Sequence, residues 1–507
     1  MTTDQATLER RRWLALGLLC VAQFVVVLDA SIVNVALPTI GRELTFSQEN
    51  LPWVVNAYVL TFGGFLLLGG RLADLLGRRR VFVGGLLLFA AASLVGGFAN
   101  SEGALIAARA VQGLGAAILS PAALSIVTTT FRDGSERNKA LGVWGAVAGS
   151  GGAAGVLLGG VLTEYVGWEW VLWVNVPIGI AAAVMAFSLI IESRSESATR
   201  HFDVAGAFSV TAALSIFVYA LVEAPEAGWG STQTVGLLAL AAALLATFIA
   251  VELRSASPIV PFRIFRLRTL TGANVVGVLT GASLFSMFFF ISLYMQNVLG
   301  YSAIKAGVSY LPLAVAIILS AGIASQLVTR VGFKPVLAVG MGLIAAGLAW
   351  FSQISPDGTF LADILGPSLL AAVGLGLAFV PQTIAAVSGV GEHEAGLASG
   401  LINTSQQVGG ALGLAVLSTV AFPQITDALG ASGGDPAATA GILTDGYADA
   451  FMVGAGIAAL GVVATLGLIR GGDSRAHMEL GDGIDAEADV APEPEPEPEV
   501  APAPANA

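Results

Sequence analysis

Two ionisable side chains of this sequence lie deep within long apolar stretches. Asp29 stands in LDASIVNVALP, and Arg109 stands in ALIAARAVQGLGAA. A charge inside a membrane-spanning helix costs at least about 2.5 kcal/mol on insertion scales, so such a residue usually faces water or a partner. Asp29 could therefore carry a proton or bind a cation, and the alternative is a structural lock with Asn34.

Arg109 keeps its proton in proteins, so it cannot relay protons itself. It could instead hold an acidic partner or a water molecule and influence the protonation of that partner. The alternative is an anchor whose long side chain carries the guanidinium to the membrane surface. The two interpretations differ in where the guanidinium lies, inside the bundle or at the membrane surface.

A charged turn, GGRLADLLGRRR at 69–80, separates two apolar runs that are long enough to cross a bilayer as helices. Glycines at 69, 70 and 77 permit a tight turn between two helices, and Asp74 and Arg78 have the i, i+4 spacing of an ion pair on one helix. The arginines could act purely as a topology signal on the cytoplasmic side. The second interpretation is a conformational role for Asp74 and Arg78.

The fifth apolar stretch is rich in glycine, with glycines repeating at every fourth position along one helical face. Small residues at this spacing let helix backbones approach closely, which is one sufficient explanation. A pliable gating helix at an interface between two bundles is the other. The glycines in question are Gly142, Gly151, Gly155, Gly159 and Gly160.

Amide and aromatic side chains also fall inside apolar stretches, where they could line a cavity for a substrate. Hydrogen bonds between helices, or a belt of aromatic residues at the membrane surface, would account for them equally well. The candidates for the cavity are Asn34, Asn56, Tyr58, Gln112, Trp144, Gln382, Asn403 and Gln406.

The composition sets the class of protein. The 507 residues are 55% hydrophobic and 11% charged, with a mean hydropathy of +0.81, which excludes an ordinary soluble protein and predicts many membrane spans. The single cysteine excludes an internal disulfide, and we expect no metal or other cofactor. The sequence has no G-x-x-x-x-G-K-[ST] loop, so an ion gradient is the expected energy source.

Fourteen apolar segments follow one another along the chain. If residue 1 is cytoplasmic, Arg42 and Lys305 are the only basic residues on outward loops, and Arg109 is the only one deep in a span. This distribution predicts that both termini are cytoplasmic.

A shift of 255 residues aligns 76–94 with 331–349 and 138–162 with 393–417, which suggests a duplicated bundle of six helices. The expected fold is therefore an all-α polytopic membrane protein with two six-helix bundles and two inserted helices. Its predicted parts are a cytoplasmic tail (1–12), the first bundle (13–190), the inserted pair (203–253), the second bundle (268–470) and a disordered, acidic, proline-rich tail (471–507).

Several of these motifs resemble a known family. GRLADLLGRRR is similar to the cytoplasmic loop signature of the major facilitator superfamily, and LIAARAVQGLGAA resembles its fourth-helix motif. The glycine pattern resembles the antiporter motif of drug exporters, although Val156 replaces its usual proline. More specific segments resemble the fourteen-helix drug:proton antiporters of the EmrB/QacA type, namely LDASIVNVALP, WEWVLWVNVPIG and LGYSAIKAGVSYLP.

The resemblance implies roles for the candidate residues. Asp29 and Arg109 would serve proton coupling, Asp74, Gly77 and Arg78 would form a cytoplasmic gate, and the glycines of the fifth span would serve antiport. The implied protein is not an enzyme. It is a proton-coupled exporter of amphipathic drugs or antibiotics in a bacterial cell membrane, monomeric, without a nucleic-acid partner.

Alternatives remain at this point. One is a dedicated carrier for a single metabolite or self-made antibiotic, another is sodium coupling, and a third is a membrane sensor that transports nothing. Glu223 is the next candidate for coupling after Asp29.

Overall fold

The computed structural model describes residues 3–46, 50–51, 53–131, 134–193, 203–255, 258–391, 394–431 and 436–476. Within these ranges the chain is almost entirely helical and contains no strand. Residues 477–507, most of the segment predicted to be a disordered tail, lie outside the described residues.

The N-terminal bundle has six spans, because two short helical segments together form the sixth. Each span is an apolar run of roughly the 20 residues that a bilayer requires. Its helices are α1 (Thr3–Glu43), α2 (Trp53–Leu76), α3 (Arg78–Gly97), α4 (Glu102–Thr130), α5 (Ser135–Tyr165), α6 (Trp170–Trp173) and α7 (Asn175–Leu189).

The inserted pair comprises α8 (Val204–Ala227) and α9 (Thr232–Glu252), and a short 3₁₀ helix at Phe262–Arg266 leads into the C-terminal bundle. The helices of that bundle include two π-helical turns, at Tyr294–Val298 and Phe360–Leu365. They are α10 (Arg268–Leu293), α11 (Ala303–Ser309), α12 (Leu311–Val331), α13 (Phe333–Phe351), α14 (Gly366–Val387), α15 (Ala395–Ala431) and α16 (Pro436–Leu468).

The predicted count of fourteen spans is confirmed for the described chain. Thirteen helical stretches are long and apolar enough to cross a membrane, and α5 is the fourteenth because its two halves are bent by 41°. The bend falls between Gly152 and Ala154. No proline lies at the bend, and Val156 follows it by a few residues. The adjacent glycines Gly151 and Gly152 give the helix the freedom to bend.

The two bundles contact each other along two seams. In one seam α2 packs against α15, and in the other α5 packs against α11 and α12. The inserted helices pack against each other, and α8 also contacts both α2 and α15. The inserted pair therefore touches both bundles.

One end of the molecule, here called the basic face, carries the turns α2–α3 and α12–α13. Gly77 (φ 105°) and Gly332 (φ 81°) occupy the left-handed region in these turns, where a residue without Cβ is favoured. Arg79 Nη1 donates to Ile190 O at 3.2 Å, and Lys334 Nζ donates to Ile469 O at 2.7 Å. The shift of 255 residues pairs Gly77 with Gly332 and Arg79 with Lys334. In both halves a cation at the start of the third span therefore donates to a carbonyl at the C-terminal end of the sixth span, where the helix dipole favours a positive charge.

The boundary predicted at residue 470 is wrong by several residues. Residues 471–476 are helical, and Ser474 Oγ accepts a hydrogen bond from Lys334 N at 3.1 Å. This segment belongs to the C-terminal bundle because it caps the beginning of α13.

Candidate functional site

Asp29 lies at the centre of a buried polar cluster in the N-terminal bundle. The residue is completely buried, and Arg109 Nη1 donates to its Oδ2 at 2.5 Å. Gln112 Nε2 and Asn175 Nδ2 donate to Oδ1 at 2.7 and 2.8 Å. Helices α1, α4 and α7 thus bring one carboxylate, one guanidinium and two amides together, and the charge of Asp29 is compensated within the bundle.

Arg109 is held from several sides. Its Nε donates to Val54 O at 3.0 Å, and its guanidinium carbon lies 4.4 Å from the centre of the Tyr58 ring. Its Nη2 has no hydrogen-bond partner among the described residues. Because Arg109 is fully buried, the alternative of an anchor reaching the membrane surface is wrong.

The lock that the sequence suggested between Asp29 and Asn34 is also wrong. Asn34 is exposed, and its amide donates to Ala30 O one turn earlier at 3.1 Å. The sequence did not assign Asn175 to Asp29, nor did it place Ser93 in this cluster, where its hydroxyl accepts from Gln112 Nε2 at 2.5 Å. Asn175 gave a signal, since it is an amide in an apolar span, whereas a lone serine such as Ser93 gives none.

Asp74 connects the two bundles at the basic face. Its Oδ1 accepts from Arg78 Nη2 at 3.0 Å and from Gly396 N at 3.1 Å, and its Oδ2 accepts from Leu397 N at 3.1 Å. Asp74 and Arg78 are both buried. A carboxylate of the N-terminal bundle therefore caps the first turn of α15 in the C-terminal bundle, where exposed N–H groups and the helix dipole favour a negative charge.

The turn that carries this carboxylate is anchored within its own bundle. Arg78 N donates to Ser193 O at 2.9 Å, and Arg79 N donates to a carboxylate oxygen of Glu192 at 3.2 Å. Gly77 supplies the turn between α2 and α3. The bonds from Asp74 to α15 cross the seam at this point, so relative motion of the bundles would break them.

The candidate glycines of α5 divide between two surfaces. Gly151, Gly155 and Gly159 face α1 inside the N-terminal bundle, and a methyl group on Gly155 would lie 2.7 Å from Leu28 O. This places Gly155 away from the interface between the bundles, contrary to the gating interpretation for that glycine. Gly142 and Gly160 face the C-terminal bundle instead, through Ser325 and Ile304 respectively.

The residues predicted to line one cavity lie in three separate places. Tyr58 and Gln112 belong to the Asp29 cluster. Asn56 lines a shallow depression between α2 and α8, with Trp53, Leu60, Tyr219 and Val222. Glu223 follows Val222 on α8 and is half-buried, outside the Asp29 cluster.

The third place is the C-terminal bundle. Gln382 on α14 is completely buried, and neither its Oε1 nor its Nε2 has a hydrogen-bond partner among the described residues. Asn403 donates to Ser399 O at 2.8 Å, and Gln406 is half-buried on the same helix, α15. Trp144 does not belong to this group, because it is buried on α5 of the N-terminal bundle.

No group of three or more His, Cys, Asp or Glu side chains suited to a metal ion occurs in the described ranges.

Comparison with known proteins places this geometry in context. Residues 19–414 match the Major Facilitator Superfamily. The chain is 45% identical to the cephamycin export protein CmcT of Amycolatopsis lactamdurans, over 80% of this chain and 84% of that protein. It is 41% identical to the puromycin resistance protein pur8 of Streptomyces alboniger, over 92% and 93%.

A third relative is the tetracenomycin C resistance and export protein of Streptomyces glaucescens, which is 36% identical over 84% of this chain and 79% of that protein. Among solved structures, the human organic anion transporter MFSD10 (TETRAN) aligns with a TM-score of 0.62 at 14% identity. It covers 90% of this chain and 99% of its own, and at that identity the likeness concerns the fold. With its profile match, its relatives and its two six-helix bundles, the chain belongs to the major facilitator superfamily.

Proposed function

We propose that the protein exports amphipathic drugs or antibiotics by alternating access, in exchange for protons entering the cell. The relatives support the substrate class, because their names refer to export of, or resistance to, cephamycin, puromycin and tetracenomycin C. The two bundles that meet along seams support the transport mode, since rocking of one bundle against the other exposes a central site to each side in turn.

The Asp29 cluster is the observation that carries proton coupling. Its three donors converge on the two oxygens of one buried carboxylate, an arrangement that fits the ionised form. Taking up a proton would convert one oxygen into a donor, so at least one of the three donors must turn away. Protonation and rearrangement of α1, α4 and α7 are therefore linked, as a proton-coupled carrier requires.

The seam at Asp74 is proposed as the cytoplasmic gate, together with Gly77 and Arg78. Lysine and arginine concentrate on loops of the basic face, which supports the assignment of that face, and of both termini, to the cytoplasm. The bonds from Asp74 to Gly396 and Leu397 hold this side closed. Opening toward the cytoplasm breaks these bonds.

We place the substrate on the amide groups of both bundles, with Asn56 on one side and Gln382, Asn403 and Gln406 on the other. Gln382 supports this placement most directly, because its buried donor and acceptor are both unmet. Leaving such groups unpaired costs about 1–3 kcal/mol each, which a bound molecule with an amide or hydroxyl group would recover. The route lies within a single chain, so we propose a monomer in a bacterial cell membrane.

Proton movement in reconstituted vesicles tests the proposal. With a pH gradient imposed, addition of substrate should drive protons through the wild type, and Asp29→Asn should abolish this signal because an amide cannot titrate. The amide keeps one acceptor oxygen for the donors of the cluster, but Arg109 loses its counter-charge, so the proton signal is normalised to the amount of folded protein in the vesicles. Asp357→Asn changes an exposed carboxylate and serves as the control. A normal signal from Asp29→Asn would move the coupling site elsewhere, with Glu223 tested next.

A dedicated exporter of one antibiotic is the second candidate, and the names of the relatives favour it because each refers to a single compound. A growth screen of an efflux-deficient host expressing the protein, against many compounds, separates the two. Protection against unrelated compounds supports multidrug export, and protection against one structural class supports the dedicated exporter. Collapsing the proton and sodium gradients separately identifies the coupling ion.

A further inference from the structure

The inserted helix pair is built into the basic face rather than attached to the outside of the bundles. Beside its ends, a buried apolar cluster joins α2, α9, the segment after α9 and α15, through Leu67, Phe248, Ile259, Ile264 and Leu397. Leu397 is also the residue whose N–H bonds to Asp74. The inserted pair and the Asp74 seam therefore share a packing core.

Two carboxylates meet at this end of the pair. Glu252, the last residue of α9, is 4% exposed, and its Oε1 accepts from Ile259 N at 3.0 Å and Val260 N at 3.4 Å. Asp203 caps α8, and its Oδ1 accepts from Gly206 N at 2.7 Å. The second oxygen of each group, Glu252 Oε2 and Asp203 Oδ2, is buried without a hydrogen-bond partner among the described residues.

The position of Gly206 shows how close the two carboxylates are. A methyl group added to Gly206 would lie 3.1 Å from Asp203 Oδ2 and also 3.1 Å from Glu252 Oε1. Both side chains thus occupy the space directly above this glycine. A larger residue there would separate them.

The charges around the pair do not balance. The groups that act on Glu252 from neighbouring helices are Asp203 of α8 and Arg71 of α2. Arg263, in the segment after α9, is paired with Glu394 at 2.8 Å, and Arg254 is exposed. Among the described residues, two carboxylates face one arginine, which leaves one negative charge uncompensated there. One proton would both neutralise this charge and give an unmet oxygen a hydrogen bond.

We propose that Asp203 and Glu252 form a proton-binding site at the basic face, separate from Asp29. The proton is shared between the two carboxyl groups, and its occupancy affects α2 through Arg71. Arg71 lies three residues before Asp74, about one turn earlier on α2. When the proton leaves, the pair attracts Arg71 more strongly, so the helix that carries the seam carboxylate responds to the pH of the basic face.

Infrared titration of the full-length protein in lipid discs tests the site directly, because protonated carboxyl groups have their own carbonyl stretching band. We expect Glu252→Gln to remove the signal of a single protonated carboxyl, since the amide keeps an acceptor for Ile259 and Val260. Asp203→Asn should remove the same signal, and Asp29→Asn should leave it. Glu192→Gln is the matched control, because Glu192 is a partly buried carboxylate of the same face that two arginines already neutralise.

An infrared titration that is unchanged in both Glu252→Gln and Asp203→Asn would overturn the proposal. A second measurement follows substrate flux while the pH on the basic face is varied and the opposite pH is held constant. Glu252→Gln should flatten this dependence relative to the wild type and to Asp357→Asn, which changes an exposed carboxylate away from the gate. Only this second measurement rests on the proposed export function, so failure of that function would leave the infrared result interpretable.

Discussion

In the N-terminal bundle the buried polar residues include two aspartates and two arginines, which form the pairs Asp29–Arg109 and Asp74–Arg78. Among the described residues of the C-terminal bundle, every buried polar side chain is neutral. Yet the two bundles share their turns, with Arg79 and Lys334 in matching roles. The helical scaffold is therefore duplicated, whereas the buried ion pairs of the described bundles occur in the N-terminal half alone.

Buried polar atoms without a partner among the described residues occur in both halves, and Arg109 Nη2 is one of them in the N-terminal cluster. Both oxygens of Asp29 accept hydrogen bonds. In the C-terminal bundle Ser405 Oγ donates to Asn274 Oδ1 at 2.9 Å, whereas Gln382 nearby has no partner among the described residues. The oxygens of Asp29 are therefore occupied by donors of its own bundle, whereas the amide of Gln382 remains available to a ligand.

The largest expected effect comes from breaking the charge pair of the N-terminal bundle. Arg109→Met leaves Asp29 as an uncompensated buried charge, which should destabilise the protein by about 3–5 kcal/mol. Adding Asp29→Asn should restore most of the stability without restoring proton coupling. The loss and the recovery of stability are measured by thermal unfolding in detergent and by the abundance of each variant in the membrane. Wild-type stability of Arg109→Met would mean that the cluster does not depend on charge balance.

Close helix packing should be equally important in both halves. Gly155→Leu places a side chain against Leu28 of α1, and overpacking of this kind costs about 1–3 kcal/mol. Gly410→Leu, 255 residues later, meets the Phe285 ring of α10 and should cost a similar amount. Gly152→Leu is the control, because no atom lies within 4 Å of the added carbon. If Gly152→Leu proved as harmful as Gly155→Leu, the loss would reflect helix flexibility and not contact with α1.

An effect of similar size, but confined to the closed state, is expected where the halves meet. Asp74→Asn retains one acceptor but loses its charge and one bond to the N-terminus of α15, so the closed seam should weaken by about 1.5–3 kcal/mol. Transport should slow while membrane abundance stays near that of the wild type. Solvent labelling of a cysteine placed beside Gly396 should increase. Unchanged flux and labelling would reduce the charged turn to a topology signal.

The smallest effect on stability should come from the neutral half. Gln382→Met removes two unmet polar groups at similar volume, so unfolding should shift by less than about 1.5 kcal/mol. Substrate affinity should instead fall roughly two- to tenfold, the worth of one hydrogen bond. Binding and melting measured on the same preparation test both parts. An unaltered affinity would remove Gln382 from the proposed substrate site.

The sequence was sufficient for the spans, the duplication and the most important charges, because each gives a strong local signal. Asp29 and Arg109 stand out as charges in apolar runs, and the positive φ of Gly77 follows from its place in a tight turn. What the sequence did not reveal are contacts between distant residues. Asn34 lies five residues from Asp29 but faces away, whereas Asn175 reaches Asp29 across 146 residues.

The wrong prediction for Gly155, that it lies at the interface between the bundles, has the same cause. The repeat at Gly151, Gly155 and Gly159 correctly identifies a face for close packing but does not say which helix packs there. The structure assigns that face to α1 and assigns Gly142 and Gly160 to the opposite bundle. Sequence spacing fixes the face of a helix, and only the tertiary arrangement fixes its neighbour.

The hydrogen bonds from Arg79 and Lys334 to the last helix of each half have a consequence for the order in which the chain folds during synthesis. Arg79 bonds to a carbonyl 111 residues later, and Lys334 bonds to one that follows it by 135 residues. A nascent chain cannot complete the beginning of α3 until Ile190 has left the ribosome, nor the beginning of α13 until Ile469 has followed. Each half should therefore mature as one unit soon after its sixth span enters the membrane, the first while the second is still being translated.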